Sequence, residues 1–435
     1  MRKYFGTDGI RGKAYDLLTP TLAYQVGLSM QLLGCKEIIL GRDTRESGVV
    51  LAAEIEKGAL AAGINLYQAG VVTTPMLAYL TKRKNSFGVM ITGSHNPYYD
   101  NGIKIFKAGK KLAPKEEEII ELFLNGIGAV KFQEKGETIL LSDGFEIYKE
   151  LYENLIFYPN LKIGLDFANG SAFEIGKRIF QNLGCYFLTT GDNPDGTNIN
   201  KDCGAMHPEN LMKLVKDNDL DLGFSFDGDA DRLLAINHDG QIFNGDYLIY
   251  LYANYLLEKG DLKGRGVVLT QMSNLGLFKA LEAKGINIEV TDVGDKYVFE
   301  ALEKTGYVLG GENSGHIINL NLLETGDGLL NAVYLLKILT EKKLKLEDAL
   351  RDLVMYPEKS FNLKGVKKEV LKLSEVENRI SELQKQIGKN GKIVVRPSGT
   401  EPVIRISVSA PTHEEVDRIL EEIILYLKNK AVEEI

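Results

Sequence analysis

Cysteine and histidine are scarce in this 435-residue chain, which has three cysteines and five histidines. The three cysteines, Cys35, Cys185 and Cys203, are far apart and odd in number, so they predict neither a disulfide framework nor a set of zinc ligands. His207 lies near Cys203, but two ligands do not make a metal site, and we interpret both as loop and packing residues. This cysteine usage is typical of a protein in the reducing cytoplasm.

Long apolar runs and clustered basic charge are also missing. The opening residues MRKYFGT pass directly into turn residues without the apolar segment of a signal peptide, so the sequence predicts neither secretion nor a membrane span. A net charge of -8 argues against bulk nucleic-acid binding, which needs a basic surface. The hydrophobic content of 44% is that of an ordinary globular protein, and the length suggests roughly three domains.

Several well-known signatures are absent. The chain has no Gly-x-x-x-x-Gly-Lys-Ser/Thr loop, no Gly-x-Gly-x-x-Gly after a predicted strand, and no Gly-x-Ser-x-Gly turn. Their absence disfavours a nucleotide-dependent kinase, a nicotinamide enzyme and a serine hydrolase of the elbow type.

Three segments repeat the same succession of apolar strand, glycine-rich loop, helix, glycine and second strand. Their first strands begin at Ile38, Ile163 and Val267. The element lengths suit right-handed parallel crossovers, although any α/β protein alternates in this way. We predict an α/β protein of three similar mixed α/β domains and a smaller C-terminal α+β domain around a central cleft. The predicted boundaries are 1–144, 145–244, 245–357 and 358–435.

A serine and a histidine follow one of the apolar strands. Residues 92–97 read TGSHNP and come directly after the apolar run 88–91, while Gly93 and the Asn-Pro pair are strong turn signals. Ser94 is therefore predicted at the carboxyl end of a strand, where open α/β sheets bind ligands. On the hexapeptide alone, an ordinary polar turn is the favoured interpretation.

Three aspartates alternate with small residues after another apolar strand, in the stretch DGDADR of residues 227–232. Like charges at this spacing are unfavourable unless a cation neutralises them. An EF-hand loop would need glycine and glutamate where Arg232 and His238 stand, so that motif is excluded. Three carboxylates beside an arginine favour Mg²⁺ shared with a phosphate over an acidic solvated turn.

Two further loops carry groups suited to a sugar phosphate. The hairpin RPSGTEP of residues 396–402, with Arg405 on its return strand, offers the guanidinium, hydroxyl and backbone donors that bind a phosphate dianion. The loop GGENSGH of residues 310–316 matches the donors and acceptors of sugar hydroxyls, but it could also be a loop cap. The segment FGTDGIRG of residues 5–12 can approach a ligand without identifying a chemistry.

Taken in order, TGSHNP, DGDADR, GGENSGH and RPSGTEP resemble the α-D-phosphohexomutase superfamily over essentially the whole chain. The resemblance implies that Ser94 is phosphorylated in the resting enzyme. The phosphoryl group would pass to a sugar monophosphate, giving a bisphosphorylated sugar, and Ser94 would recover the other phosphate. The four predicted domains would then carry the phosphoserine loop, the metal loop, the sugar loop and the phosphate-binding hairpin.

The resemblance also implies roles for individual residues. The catalytic set is Ser94, His95, Lys104, Arg11 and Arg232, with Lys104 a candidate proton shuttle. One Mg²⁺ per chain would be bound by phosphorylated Ser94, Asp227, Asp229 and Asp231. The substrate would contact Lys296, Glu312, Ser314, His316, Arg396, Ser398, Gly399, Thr400 and Arg405. Because the intermediate must reorient while bound, we expect the C-terminal domain to move on a hinge near Pro357.

Within the superfamily, the opening RKYFGTDGIRG, residues 198–209 and residues 325–328 are most similar to bacterial members that act on glucosamine phosphate. Four positions depart from that pattern, namely Gly93, Ala230, Asn313 and Pro397. A mutase of mannose or glucose phosphate shares the looser motif and remains an alternative. A non-catalytic sugar-phosphate sensor is another, although the retained serine and aspartates argue against it. A homodimer is compatible with the sequence.

Overall fold

The computed structural model describes residues 3–6, 8–132, 135–153, 155, 160–398 and 403–433. At residues 431–433 it describes the backbone only. Its first sheet has eight strands: β1 (Phe5–Gly6), β2 (Gly9–Lys13), β3 (Glu37–Arg42), β4 (Asn65–Val71), β5 (Phe87–Ile91), β6 (Asp100–Lys107), β7 (Lys110–Lys111) and β8 (Thr138–Leu140). Their order is β1-β2-β6-β5-β3-β4-β8, and β7 pairs with β6. The helices of this part are α1 (Pro20–Ser29), α2 (Glu46–Ala61), α3 (Thr74–Lys84), α4 (Pro114–Leu124) and α5 (Gly144–Glu153).

Helix α3 shows how local sequence sets an element that the site uses. The Thr73 side chain accepts a hydrogen bond from the Met76 N–H at 3.2 Å, and Pro75 occupies the first turn, where its missing N–H costs nothing. Asn85, which caps the end of the helix, has a left-handed φ of 47°. This start places Thr74 at the boundary with the second sheet, where its N–H donates to Asp229 O at 3.1 Å.

The second and third sheets are smaller. The second contains β9 (Lys162–Asp166), β10 (Tyr186–Thr190), β11 (Leu222–Phe226), β12 (Leu233–Asn237) and β13 (Ile242–Phe243) in the order β10-β9-β11-β12-β13, with helices α6 (Ala172–Asn182) and α7 (Glu209–Asp217). The third contains β14 (Gly266–Thr270), β15 (Asn287–Thr291), β16 (Leu309–Gly311) and β17 (Ile317–Asn319) in the order β15-β14-β16-β17. Its helices are α8 (Gly245–Lys259), α9 (Leu275–Ala283), α10 (Asp295–Thr305), α11 (Gly328–Lys342) and α12 (Leu346–Ala349).

The same four-strand arrangement occurs in all three sheets. In each, a central strand (β3, β9 or β14) pairs in parallel with the two strands that follow it, and a fourth strand runs antiparallel to the third. The predicted triplication of mixed α/β units is confirmed. The turns between the third and fourth strands hold the TGSHNP, DGDADR and GGENSGH motifs, so the repeat places one motif loop at the equivalent point of each unit.

The C-terminal unit is built differently. Strands β18 (Glu358–Leu363), β19 (Lys392–Pro397) and β20 (Ile404–Ser409) form an antiparallel sheet in the order β18-β20-β19, packed with α13 (Ser374–Ile387) and α14 (His413–Glu433). The Thr412 hydroxyl accepts the Glu415 N–H at 3.2 Å and so caps the start of α14. Short 3₁₀ helices at 30–33, 263–265, 368–372 and 388–390 complete the described chain.

Apolar packing joins the first three units, each of which also has a cluster of its own, and leaves the fourth separate. One continuous cluster of buried side chains runs from Ile39 to Leu353 and joins the first three units. The C-terminal unit has its own cluster, from Leu363 to Leu427, which includes Val416, Ile419 and Ile423 of α14. The predicted α+β unit therefore has a separate core. Within the described residues, no helix combines the length and hydropathy that crossing a membrane would require.

Candidate active site

Ser94 lies three residues beyond β5 with a left-handed φ of 50°. Its N–H donates to Thr92 Oγ1 at 2.9 Å, and the side chain is almost fully buried. The Ser94 hydroxyl donates to Asp227 Oδ2 at 2.7 Å and lies 3.4 Å from His95 Nδ1. The loop of the first unit thus directs its serine into the metal loop of the second.

The three aspartates of the second unit converge. Asp227, Asp229 and Asp231 are buried, and each offers a carboxylate oxygen within 4.8 Å of the others. The Oδ1 atoms of Asp229 and Asp231 have no hydrogen-bond partner among the described residues. Burial, followed by the charges of the other two aspartates, raises the pKa of Asp227 well above its usual range. Buried carboxylate oxygens without protein donors are what a hard divalent cation requires, so these residues fit a Mg²⁺ site.

Two small residues allow the loops to meet. Ala230 has a left-handed φ of 58°, and its N–H donates to Asp227 O at 3.0 Å. A Cβ at Gly228 would lie 2.6 Å from Ser94 O, closer than real contacts allow. The glycine therefore permits the close approach between the serine loop and the metal loop.

Lys104 connects the metal loop to the N-terminal segment. Its ammonium donates to Asp229 Oδ2 at 2.8 Å and Asp231 Oδ2 at 3.3 Å, and it also lies 3.3 Å from Asp8. Burial disfavours the charged lysine, but the three carboxylates outweigh it and raise the pKa of Lys104 well above its usual range. Lys104 is therefore protonated, so it can donate a proton or provide a fixed positive charge.

Arg11, Arg232 and His95 surround the serine. Arg11 donates to Gly93 O at 2.9 Å and pairs with Asp8, while Arg232 Nε lies 3.8 Å from Asp231 Oδ1. Burial and these two guanidinium groups lower the pKa of His95 to about 3. His95 is thus neutral at pH 7, and one of its ring nitrogens can accept a hydrogen bond.

The sugar loop of the third unit contains buried polar atoms, and His316 Nε2 lies 3.8 Å from Asp295 Oδ2. Ser314 Oγ and both ring nitrogens of His316 are buried and have no hydrogen-bond partner among the described residues. Glu312 is buried and accepts the Gly294 N–H at 3.0 Å. The Leu233 N–H donates to Gly315 O at 3.1 Å, which attaches this loop to the strand that follows the aspartates.

A cavity of about 490 Å³ lies between β7 and α10 and is lined in part by Lys111, Asp295, Lys296 and His316. Lys111 donates to Asp295 across the boundary between the first and third units, and it also pairs with Asp8 of its own unit. Lys296 donates to the Glu117 carboxylate at 3.2 Å. The predicted sugar contacts Lys296 and His316 therefore share one cavity wall.

The phosphate-binding hairpin supplies a second positive region. Arg396 and Arg405 are register partners on β19 and β20. Burial and the Arg405 charge lower the pKa of Arg396 from its usual range. The Ser398 N–H donates to Val403 O at 2.9 Å, and Lys368 donates to Ser398 O. The predicted contacts Gly399 and Thr400 lie outside the described residues.

The structure brings together in one cluster the predicted catalytic and metal-binding residues, namely Ser94, His95, Lys104, Arg11, Arg232, Asp227, Asp229 and Asp231. The loop of residues 310–316 is hydrogen-bonded to the strand that follows the aspartates. Sequence reasoning missed three side chains that hold this cluster. Thr74 donates to Asp229 Oδ2 at 2.6 Å, and Arg45 and Asn200 both donate to Ser94 O. Arg45 follows β3, the parallel neighbour of β5, so the rule that motif loops share the carboxyl edge of a sheet could have found it.

Comparison with known proteins agrees with this fold and site. Models described as phosphoglucomutase/phosphomannomutase alpha/beta/alpha domains I, II and III match residues 2–129, 148–240 and 244–356, and the C-terminal domain model of that family matches residues 342–425. Phosphoglucosamine mutase of Streptococcus gordonii is 41% identical, with 96% of each chain covered. Phosphoglucosamine mutase of Lactococcus lactis is also 41% identical, with 98% of each covered.

Among solved structures, a phosphoglucomutase/phosphomannomutase family protein from Burkholderia thailandensis superposes with a TM-score of 0.82 at 25% identity, covering 98% of this chain and 96% of that one. Fold and matches together define the class as a phosphohexomutase, an isomerase. The chain belongs to the phosphoglucomutase/phosphomannomutase family. The predicted superfamily is confirmed.

Proposed function

We propose that this enzyme interconverts glucosamine 6-phosphate and glucosamine 1-phosphate, with Ser94 as the carrier of the transferred phosphoryl group. The observation that carries the proposal is the 2.7 Å hydrogen bond from the Ser94 hydroxyl to Asp227 in a buried carboxylate cluster. A hydroxyl placed against metal-ligand carboxylates and ringed by cations is suited to holding a phosphoryl group during transfer.

Asp227, Asp229 and Asp231 would hold Mg²⁺ together with phosphorylated Ser94. When bound, the cation supplies positive charge at the phosphate oxygens. Arg11 and Arg232 add fixed positive charge beside the same group. The phosphorus–Ser94 oxygen bond breaks as a bond forms from phosphorus to the free hydroxyl of the sugar monophosphate.

The attacking sugar hydroxyl loses a proton as the departing Ser94 oxygen gains one. Lys104, protonated beside the aspartates, would give a proton to the Ser94 oxygen and take up the proton of the sugar hydroxyl. The neutral His95 ring near Ser94 Oγ would take part through hydrogen bonding. In the second half of the reaction Ser94 recovers the other phosphate and the proton transfers run in reverse.

The sugar and its second phosphate would be held by the third and fourth units. Glu312, Ser314, His316 and Lys296 offer acceptors and donors for the ring substituents. Arg396, Ser398 and Arg405, with Gly399 and Thr400, would bind the phosphate that does not react. Reorientation of the bisphosphorylated intermediate exchanges the two phosphates between these positions.

Glucosamine phosphate is favoured because the relatives that are 41% identical over nearly the full length carry the name phosphoglucosamine mutase. The family description also names glucose and mannose phosphates, which makes a mutase of those sugars the second candidate. Both candidates use the same mechanism, so the substrate must be tested directly.

The test compares kcat/KM of Ser94-phosphorylated protein with Mg²⁺ on glucosamine 6-phosphate, mannose 6-phosphate and glucose 6-phosphate, with Ser94→Ala as the inactive control. We expect a preference of about tenfold or more for the amino sugar. Preference for mannose or glucose phosphate would contradict the proposed substrate. Binding without turnover of any of the three would contradict the proposed activity and favour a sensor.

A further inference from the structure

Two side chains from different units donate to the same two carbonyl oxygens of the serine loop. Arg45 Nη2 lies 3.1 Å from Ser94 O and 2.5 Å from Asn96 O. Asn200 Nδ2 lies 2.8 Å from Ser94 O and 3.0 Å from Asn96 O. A carbonyl oxygen has two lone pairs, so each oxygen has both acceptor positions filled by these two residues.

Both donors are themselves fixed. Arg45 is fully buried and ion-paired with Asp43, whose Oδ1 also accepts the Arg45 N–H at 2.9 Å. Asn200 is buried with a left-handed φ of 56°, and its N–H donates to Ala168 O at 2.8 Å. Burying a guanidinium away from water is costly unless its N–H donors are paired. One amino group of Arg45 pairs with Asp43, and the other donates to the serine loop.

Gly93 makes room for this arrangement. A Cβ at position 93 would lie 2.8 Å from Arg45 Nη2 and 2.9 Å from its Cζ. The guanidinium plane therefore packs directly on the backbone of the serine loop, next to the residue that would carry the phosphate.

We infer that Arg45 and Asn200 are positioning residues that hold Ser94 in its left-handed conformation, with the hydroxyl aimed at Asp227, throughout phosphoryl transfer. Serine does not favour this backbone conformation, so hydrogen bonds to the carbonyl oxygens of Ser94 and Asn96 are needed to maintain it. The inference rests on the proposed role of Ser94. We call Arg45 and Asn200 together the clamp. Because Asn200 belongs to the metal-loop unit, the clamp also fixes the serine loop relative to the aspartates.

The test uses an isosteric change. In Asn200→Asp the amide donor becomes a carboxylate oxygen facing two carbonyl oxygens, with almost no change in volume. We expect kcat to fall about tenfold or more, because small misplacements of a reacting group carry penalties of this size. KM for the sugar phosphate should stay within about twofold, since Asn200 contacts none of the proposed substrate-binding residues. The kcat of Asn200→Ala should fall less than that of Asn200→Asp, because alanine removes the donor without adding repulsion.

Asn210→Asp is the matched control, since Asn210 Nδ2 donates to Asp202 O at 2.7 Å in the same unit, and its kcat should equal that of the wild type. All rates are normalised to the folded fraction, so a purely structural role would change stability without changing kcat. Wild-type kcat in folded Asn200→Asp, or in Asn200→Ala if the aspartate variant fails to fold, would overturn the clamp. Absence of turnover in the wild type would instead overturn the proposed function.

Discussion

At the residue scale, Asp229 joins three parts of the site. Its Oδ2 accepts hydrogen bonds from Thr74 and Lys104, which leaves Oδ1 for a cation. Burial opposes ionisation, but the Lys104 charge and the hydrogen bonds from Lys104 and Thr74 lower the pKa of Asp229 below its usual range. The carboxylate is thus kept charged for metal binding.

Replacing Asp229 with asparagine should lower Mg²⁺-dependent kcat by about 100-fold or more, because it removes a charged ligand and leaves Lys104 underpaired. Turnover is measured across a Mg²⁺ titration. Asp239→Asn, on an exposed side chain of the same unit, is the control and should have wild-type activity. Full activity of Asp229→Asn would remove the aspartate cluster from the account.

The Thr74 hydroxyl orients Asp229 without touching the proposed substrate. Thr74→Val keeps the shape but removes the donor, so the Mg²⁺ concentration for half-maximal activity should rise about tenfold, with little change in kcat at saturating Mg²⁺. Thr81→Val in the same helix is the control, since the Thr81 hydroxyl donates to Ala78 O rather than to the site. An unchanged Mg²⁺ dependence in Thr74→Val would show that the threonine only packs.

At the element scale, the recurring turn between a third and a fourth strand explains which parts of the site could be predicted. Ser94 and the aspartates directly follow short apolar strands, so sequence patterns place them at sheet edges. Thr74 begins a helix, and Arg45 and Asn200 lie in loops. The contacts of Thr74 and Asn200 depend on how two units pack, which periodicity within one unit does not encode, whereas Arg45 contacts the serine loop within its own unit. The same reason applies to Lys111, which bridges the first and third units.

Helix α8 contains a buried acid at the junction with the C-terminal unit. Asp246 accepts the Asn274 N–H at 2.7 Å, and Asn274 in turn exchanges hydrogen bonds with the backbone of Tyr356, just before Pro357. Burial, offset in part by hydrogen bonds to the carboxylate, raises the pKa of Asp246 from 3.8 to about 7, with Glu358 and Lys392 the nearby charges.

Because the folded protein keeps this proton up to about pH 7, the contribution of Asp246 to stability is full below about pH 4 and is lost as the pH rises through 7. Asp246→Asn cannot ionise, so its free energy of unfolding should fall less than that of the wild type between pH 5 and pH 8, by on the order of 2 kcal/mol. Denaturant unfolding at both pH values measures the difference. The exposed Asp352→Asn should behave as wild type, and an identical pH dependence in Asp246→Asn would contradict the assignment.

At the scale of the whole molecule, one apolar cluster joins the first three units, and the fourth has a separate core. Polar contacts connect the fourth unit to the third, including Lys392 to Ser273 O at 3.1 Å and Lys279 to Asn390 at 2.5 Å. Such contacts can break and form again at low cost, unlike a shared apolar core. This agrees with the proposed hinge near Pro357.

Linking Lys279→Cys to Asn390→Cys with a cleavable dithiol-reactive linker should lower kcat about tenfold or more, because the intermediate could no longer reorient. Cleaving the linker should restore turnover, and each single cysteine variant treated in the same way should remain active. Full turnover of the linked protein would contradict domain motion in the catalytic cycle.

The role of Ser94 as carrier of the phosphoryl group can be tested by following the phosphate itself. Protein labelled with ³²P on Ser94 is mixed with unlabelled glucosamine 6-phosphate and Mg²⁺ for a single turnover. We expect the label to leave the protein and to appear in the sugar phosphate at least as fast as kcat. Label that stays on Ser94 while the sugar phosphate is converted would contradict this role.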